Sequence, residues 1–168
     1  MGLGRREWIR RAWVIVTAPA LFAGLEALDG PGGPPFAAGE ESLPGVPATT
    51  AVAQEIRLAL ARAVDRFQAK DLGGVLGYVS EQYWTGPFTK PVLRAQLATI
   101  FRVHRQVRAA IRIDDIRLVG PHAWVYTTGD VSGEVAIVGG WVSLFSWENE
   151  LEVARREGSG WRLYGYQA

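Results

Sequence analysis

The 168-residue chain contains no cysteine and only two histidines. Without a thiol it can form no disulfide, no thiolate metal site and no cysteine nucleophile. The two histidines, His104 and His122, do not have the spacing of a metal site, so we expect no metal. No glycine-rich stretch has the context of a phosphate-binding loop, and we therefore expect no cofactor.

The chain also lacks a strong net charge, because 18 basic residues face 17 acidic ones. From residue 31 onward, 14 basic residues balance 14 acidic ones. Aromatic side chains could stack on bases, but a neutral domain lacks the charge that holds phosphates. We therefore expect no nucleic-acid partner.

A long hydrophobic run is absent as well. Four arginines near the N-terminus precede 14 uncharged residues, Ala12 to Leu25, which are interrupted by Pro19. As a helix this run would measure about 21 Å, short of the roughly 30 Å of a bilayer core. A basic start followed by a short apolar region is the layout of a secretory signal.

The stretch GRREWIR, which contains Arg5 and Arg6, resembles the twin-arginine export signal, although Gly4 replaces the usual Ser or Thr. The resemblance implies export across the cytoplasmic membrane, to the periplasm or the extracellular space, by residues 1–29. If the segment is not cleaved, it would instead anchor the protein, and an amphipathic surface helix is a further alternative. Either way, we expect membrane contact only through this segment.

Residues 30–49 are rich in glycine and proline, a composition typical of a linker. The folded domain is therefore expected at residues 50–168. Thr49 or Thr50 can cap a first helix, and the helical spacing of apolar residues predicts that it runs to about Lys70. A short second helix is expected after Asp71, and a third begins at Thr89.

After Gln106 the hydrophobic pattern changes to a period of two, which predicts four antiparallel strands. The phase slips at Asp114-Asp115, which indicates a bulge in the first of them. In the long strand that starts at Trp141, we expect Trp147, Asn149, Val153 and their alternating neighbours to face inward. Glu148, Glu150 and Glu152 are expected on the opposite face. Helices followed by strands predict an α+β domain with helices on one face of the sheet.

Three stretches carry a resemblance: AVDRFQAKDLGGVLGYVSEQYW, IRIDDIRLVGPHAWVYTTGDV and GSGWRLYGYQA. In this order they resemble the nuclear transport factor 2-like (NTF2-like) superfamily, which includes ketosteroid isomerase and SnoaL-like proteins. The resemblance implies a cone-shaped fold in which three N-terminal helices pack on a curved, mainly antiparallel sheet. It also implies a homodimer through the other face of the sheet, where Val142, Leu144 and the glutamates are expected. The superfamily fold alone does not define a function.

Ketosteroid isomerase uses a tyrosine, an aspartate base and a protonated aspartate. The matching positions in this chain are Ala63, Gly86 and a site near Asn149. Alanine and glycine cannot transfer a proton, so isomerase chemistry of that kind is not expected. The sequence therefore favours a protein that is not an enzyme.

An aromatic-lined pocket at the open end of the cone is the main functional hypothesis. Its candidate residues are Tyr83, Trp84, His104, Asp115, Trp124, Tyr126, Trp147 and Asn149. The alternative is that the aromatic residues form core, that His104 ends a helix and that Asp115 is solvated beside Asp114. We expect an exported or tethered domain that binds a small apolar or amphipathic ligand or acts as an envelope scaffold. The alternative function is a SnoaL-like isomerase, cyclase or dehydratase that uses a polar group in the cavity.

Overall fold

The computed structural model describes residues 43–136 and 139–166. The expected export signal, with Arg5 and Arg6, lies outside the described residues, as does most of the expected linker. Residues from position 43 onward form the domain described below.

The described residues form helices followed by strands, as the sequence predicts. The helices are α1 (Thr50–Gln68), α2 (Leu72–Leu76) and α3 (Lys90–Val103). The strands are β1 (Val46–Pro47), β2 (Trp84–Thr85), β3 (Phe88–Thr89), β4 (His104–Val119), β5 (His122–Val135), β6 (Trp141–Glu157) and β7 (Gly160–Leu163). The domain is therefore α+β, as expected.

Local chemistry sets the helix boundaries. The Thr49 side chain accepts a hydrogen bond from the Val52 amide, and the Asp71 carboxylate accepts one from the Gly74 amide at 2.8 Å. These contacts satisfy amides that a helix start leaves without a partner. No helix within the described ranges is both long and apolar enough to cross a bilayer.

The main sheet has five strands in the order β1-β4-β5-β6-β7, and each adjacent pair is antiparallel. β2 and β3 form a separate two-stranded hairpin. β1 lies within the expected linker, yet Val46 and Pro47 pair with Leu118 and Arg117 of β4. The folded domain therefore begins before Thr50.

The helices cover one face of the sheet, which we call the inner face, and two apolar clusters pack between the helices and this face. The first cluster contains Phe67, Leu76, Val79, Tyr83, Leu93, Leu97, Phe101, Val107, Val131, Phe145 and Trp147. The second contains Ala53, Ile56, Ile116, Ala123, Val125, Ala154 and Trp161. Burial of these side chains is the main stabilising term.

The bulge expected near Asp114 is present in β4. The pairing register with β5 shifts between Ile113 and Asp115. Ile113 lies opposite Thr127 and Ile116 lies opposite Val125, so both isoleucines reach the inner face. Asp114 is the extra residue.

The predicted faces of β6 are wrong beyond Trp147. Trp147 lies opposite Gly129, but Glu150 lies opposite Thr127, so β6 contains one extra residue between these pairs. Asn149 absorbs it with a φ of 49°, a left-handed conformation that asparagine tolerates. The bulge turns Glu150 and Glu152 to the inner face, and it turns Asn149, Leu151 and Val153 away from it.

A second irregularity corrects the start of β6. The register shifts between Val131 and Ser132 of β5, so Trp141 and Ser143 lie on the outer face rather than inward. The guanidinium of Arg108 lies 3.9 Å from the centre of the Trp141 ring, in a cation–π contact on that face.

Gly129 provides a test of this packing. A Cβ atom there would lie 2.6 Å from the Ala110 carbonyl oxygen and 2.7 Å from Cζ2 of Trp147. We expect Gly129→Ala to lower the free energy of unfolding by about 1–3 kcal/mol, because the strands or the indole must shift. Urea denaturation measures the loss.

Gly140→Ala is the matched control, since a Cβ atom at Gly140 has no heavy atom within 4 Å. It should change stability by less than about 0.5 kcal/mol. Equal stability of the Gly129→Ala variant and the wild type would contradict the described β5–β6 packing.

Candidate functional site

The candidate site is a polar part of the inner face that lies between the two apolar clusters. We call it the polar step, and it consists of Glu150, Glu152 and Thr127. Along β6 the inward residues run Phe145, Trp147, Glu150, Glu152 and Ala154. The two glutamates therefore lie between Trp147 of the first cluster and Ala154 of the second. On β5, Thr127 lies opposite Glu150 and Val125 lies opposite Glu152.

Glu152 is the most perturbed carboxyl group described. The residue as a whole keeps some exposure, but its carboxyl group is densely surrounded. Burial, followed by the negative charge of Glu150, raises the pKa of Glu152 from 4.5 to about 7. Among the described residues, no hydrogen bond or basic group opposes these two effects on the pKa. The carboxyl group therefore changes charge near neutral pH.

Tyr83 comes close to Glu152 from the segment that follows α2. It is 7% exposed and belongs to the first cluster. Burial, followed by the negative charge of Glu152, raises the pKa of Tyr83 from 10 to about 12, against a smaller lowering by a hydrogen bond with Thr85. The phenol is therefore protonated at neutral pH and can donate a hydrogen bond.

Trp147 and Thr127 form the aromatic side of the site. The Trp147 Nε1–H donates to Oγ1 of Thr127 at 2.9 Å, and both residues are buried. This bond satisfies the indole N–H and fixes the ring against the polar step. The site thus combines an aromatic wall with a small number of polar groups.

The chemistry available at this step is hydrogen bonding and proton exchange. A carboxyl group that titrates near neutrality can accept or donate a proton at working pH, and the phenol can donate a hydrogen bond to an oxygen. Within residues 43–136 and 139–166, no group of three His, Cys, Asp or Glu side chains could hold a metal ion.

Two of the eight pocket candidates, Tyr83 and Trp147, lie on the inner face beside this step. His104 does not join them, because it pairs with Val135 at one end of β4, whereas Glu152 lies across β5 from Ile116, toward the other end. The His104 Nδ1 atom lies 3.0 Å from the Ile100 carbonyl oxygen. The residue thus sits where α3 ends, as the alternative interpretation holds.

Trp124, Tyr126 and Asp115 lie on the outer face, because they alternate with inward residues of β4 and β5. Asp115 lies opposite Tyr126, and its carboxylate is 3.6 Å from the guanidinium of Arg117. The Trp124 ring meets the Tyr166 ring edge-on. The bulge at Asp114 therefore does not turn Asp115 inward.

Trp84 and Asn149 are exposed. Trp84 is 48% exposed on the β2–β3 hairpin, where its Nε1–H donates to the Gly86 carbonyl oxygen. Asn149 forms the β6 bulge, where its backbone adopts a φ of 49° and its amide donates to the Thr128 hydroxyl. Ala63 lies on α1 and Gly86 lies in the hairpin turn. Neither residue has a side chain that can transfer a proton.

The candidate site also contains three residues that the sequence pattern does not predict there: Glu150, Glu152 and Thr127. The spacing of Trp147 and Ala154, which both lie on the inner face, indicates the inward position of the glutamates. Trp147 and Ala154 are seven positions apart, and an odd number cannot place both on one face of a regular strand. An asparagine between them marks where a bulge could form.

No family model matches the sequence, and no curated protein matches it significantly. Solved structures do match. A conserved protein from Planctomyces limnophilus superimposes with a TM-score of 0.57 at 17% identity, over 70% of this chain and 94% of the other. A protein named as a candidate scytalone dehydratase, from Novosphingobium aromaticivorans, gives 0.59 at 10% identity, over 68% and 80%.

A third match is a Streptomyces avermitilis protein of the NTF2-like family that is named as a candidate dehydratase. Its TM-score is 0.55 at 13% identity, over 70% of this chain and 94% of the other. The chain has the NTF2-like fold. At such identities these NTF2-like neighbours establish the architecture and leave the chemistry to the residues of the site.

Glu152 should make the NTF2-like domain less stable as the pH rises. Below about pH 4.5 the carboxyl group is protonated in both the folded and unfolded states. Between about 4.5 and 7 the folded state retains a proton that the unfolded state releases, so the free energy of unfolding falls with pH. The full loss is on the order of 3 kcal/mol, since each pH unit corresponds to about 1.4 kcal/mol.

Glu152→Gln should remove this penalty and be more stable than the wild type at pH 8, with little difference near pH 4.5. Thermal and urea denaturation across pH 4–8 measure the effect. Glu148→Gln, at an exposed position of the same strand, is the control and should keep the wild-type pH profile. If the Glu152→Gln variant keeps the wild-type pH profile, the pKa of Glu152 is not raised by burial.

Proposed function

We propose that the domain binds a small, largely apolar molecule against the inner face of the sheet, with a polar atom of that molecule at Glu152. One observation carries the proposal. A carboxyl group lies between two apolar clusters, beside a protonated phenol, where burial disfavours its charge. A bound molecule with one polar atom could hydrogen-bond to this carboxyl group while its body contacts the aromatic wall.

Proton-transfer catalysis is the second candidate, as in an isomerase, cyclase or dehydratase of the SnoaL-like kind. The specific support is the titration of Glu152 near pH 7, which suits a group that must both accept and donate a proton. Tyr83 would donate a hydrogen bond to a substrate oxygen. Two of the structural neighbours are named as candidate dehydratases, which is consistent with this proposal.

A scaffold without a ligand is less well supported. An interior that serves only for packing has no need of a carboxyl group at the step between two apolar clusters, because burial of an ionised carboxyl group is unfavourable. Glu152 would in that case destabilise the domain at neutral pH without a compensating role. The support for binding is therefore stronger than the support for a purely structural role.

Export or tethering by residues 1–29 is also part of the proposal, since the arginine-containing segment has the layout of a signal. Homodimerisation through the outer face is proposed as well, with a corrected set of residues. Leu144 packs against the first cluster, and Val142 lies in register with Gly133 and Val107 of the inner face. Glu150 and Glu152 also face inward, so these four expected residues do not lie on the outer face. Trp141 and Arg108 lie there instead.

Native mass spectrometry on the protein recovered from its own host tests these proposals together. We expect a retained small molecule, a dimer mass, and either an N-terminus between residues 24 and 40 or an intact segment that fractionates with membranes. Glu152→Leu should lose the retained molecule, because it removes the polar contact and keeps a similar volume.

Glu148→Leu, at an exposed position on the same strand, should retain the molecule. Ligand-free wild-type protein that also binds no member of a panel of fused-ring ketones, alcohols and hydrocarbons would contradict the binding proposal. A ligand that is retained equally by both variants would place it away from Glu152.

A further inference from the structure

A chain of hydrogen bonds on the outer face links the two bulges that shape the site. Nε of Arg112 donates to Oδ1 of Asp114 at 2.8 Å, and the Thr128 hydroxyl donates to Oδ2 of Asp114 at 2.5 Å. The same hydroxyl accepts a hydrogen bond from the Asn149 amide at 3.0 Å. Three neighbouring strands, β4, β5 and β6, are joined through one side chain.

The Thr128 hydroxyl both donates and accepts, so its orientation is set by both partners. Asp114 is the extra residue of the β4 bulge, and Asn149 lies in the β6 bulge. A bulge leaves backbone groups outside the regular ladder of hydrogen bonds, and the hydroxyl provides the Asn149 amide with an acceptor. The hydrogen bond from Thr128, followed by the effect of Arg112, lowers the pKa of Asp114, so its carboxylate is ionised at neutral pH.

The β6 bulge decides which side chains face the helices. A strand that slips by one residue turns every following side chain to the opposite face. In β6 such a slip would bring Asn149 and Leu151 inward and turn Glu150 and Glu152 outward. The position of the bulge is therefore a condition for the site.

We infer that Thr128 and Asp114 are positioning residues, whose hydrogen-bonded pair on the outer face fixes the β6 bulge and thereby holds Glu152 in the buried site. The inference rests on the proposed role of Glu152 as the polar contact of the site. Neither residue needs to touch the bound molecule, because their side chains lie on the opposite face of the sheet.

The titration of Glu152 in the full-length protein reports this positioning without any ligand. Its carboxyl ¹³C resonance can be assigned by comparison with Glu152→Gln and followed by NMR from pH 4 to 9. Glu150 on the same strand raises the pKa of Glu152, and the Tyr83 phenol lies near it from the segment after α2. All of these groups are unchanged in the variants that follow.

Thr128→Val removes the hydroxyl and keeps the shape of the side chain. We expect the proton affinity of Glu152 to fall at least tenfold in this variant, because a loosened bulge admits water to the carboxyl group. Thr128→Ser restores the hydroxyl and should return the titration to the wild-type value. Thr99→Val is the control, since the Thr99 hydroxyl donates to the Ala95 carbonyl oxygen of its own helix.

A folded Thr128→Val protein with wild-type titration of Glu152 would overturn the inference. If Thr128→Val does not fold, Asp114→Ala provides the same test, because it removes the other half of the pair. Failure of this inference is distinct from failure of the binding proposal. The former appears in the Glu152 titration of the Thr128 variants, and the latter in the ligand content of Glu152→Leu.

Discussion

The alternation of β6 is the constraint on which this domain depends. β6 buries Trp147 in the first cluster and Ala154 in the second, and both residues lie on the same face of the sheet. Because seven positions separate these residues, a regular strand would expose one of them. One extra residue resolves the conflict, and Asn149 adopts the left-handed conformation that accommodates it.

The same extra residue determines the chemistry of the inner face. Once the phase of β6 has changed, Glu150 and Glu152 must point toward the helices, because Ala154 does. The packing of Trp147 and Ala154 on one face thus determines that positions 150 and 152 also lie on that face. The site arises because residues of both clusters lie on β6. Its polarity comes from Glu150 and Glu152, which lie between Trp147 of the first cluster and Ala154 of the second.

The sequence predicts the fold more fully than the site. Helical spacing around Ile56 and Phe67, the Asp71 cap and the phase slip at Asp114 each have a local cause, and each appears in the structure. The faces of β6 depend instead on which cluster Ala154 joins, and that contact is made with α1, far away in the chain. The sequence predicts Tyr83 and Trp147 as site residues because aromatic side chains favour the interior. The inward position of Glu152 can be predicted only when the position of the bulge in β6 is known.

The entry of the chain into the sheet has a mechanical consequence. Arg117 donates from Nε to the Pro44 carbonyl oxygen at 3.0 Å and from Nη2 to the Gly45 carbonyl oxygen at 2.9 Å, next to the short β1 ladder. Ladder hydrogen bonds run perpendicular to the strands, so tension along β1 strains them together rather than one after another. Force applied along β1 would therefore load this ladder in shear, and the two hydrogen bonds of the guanidinium would share that load.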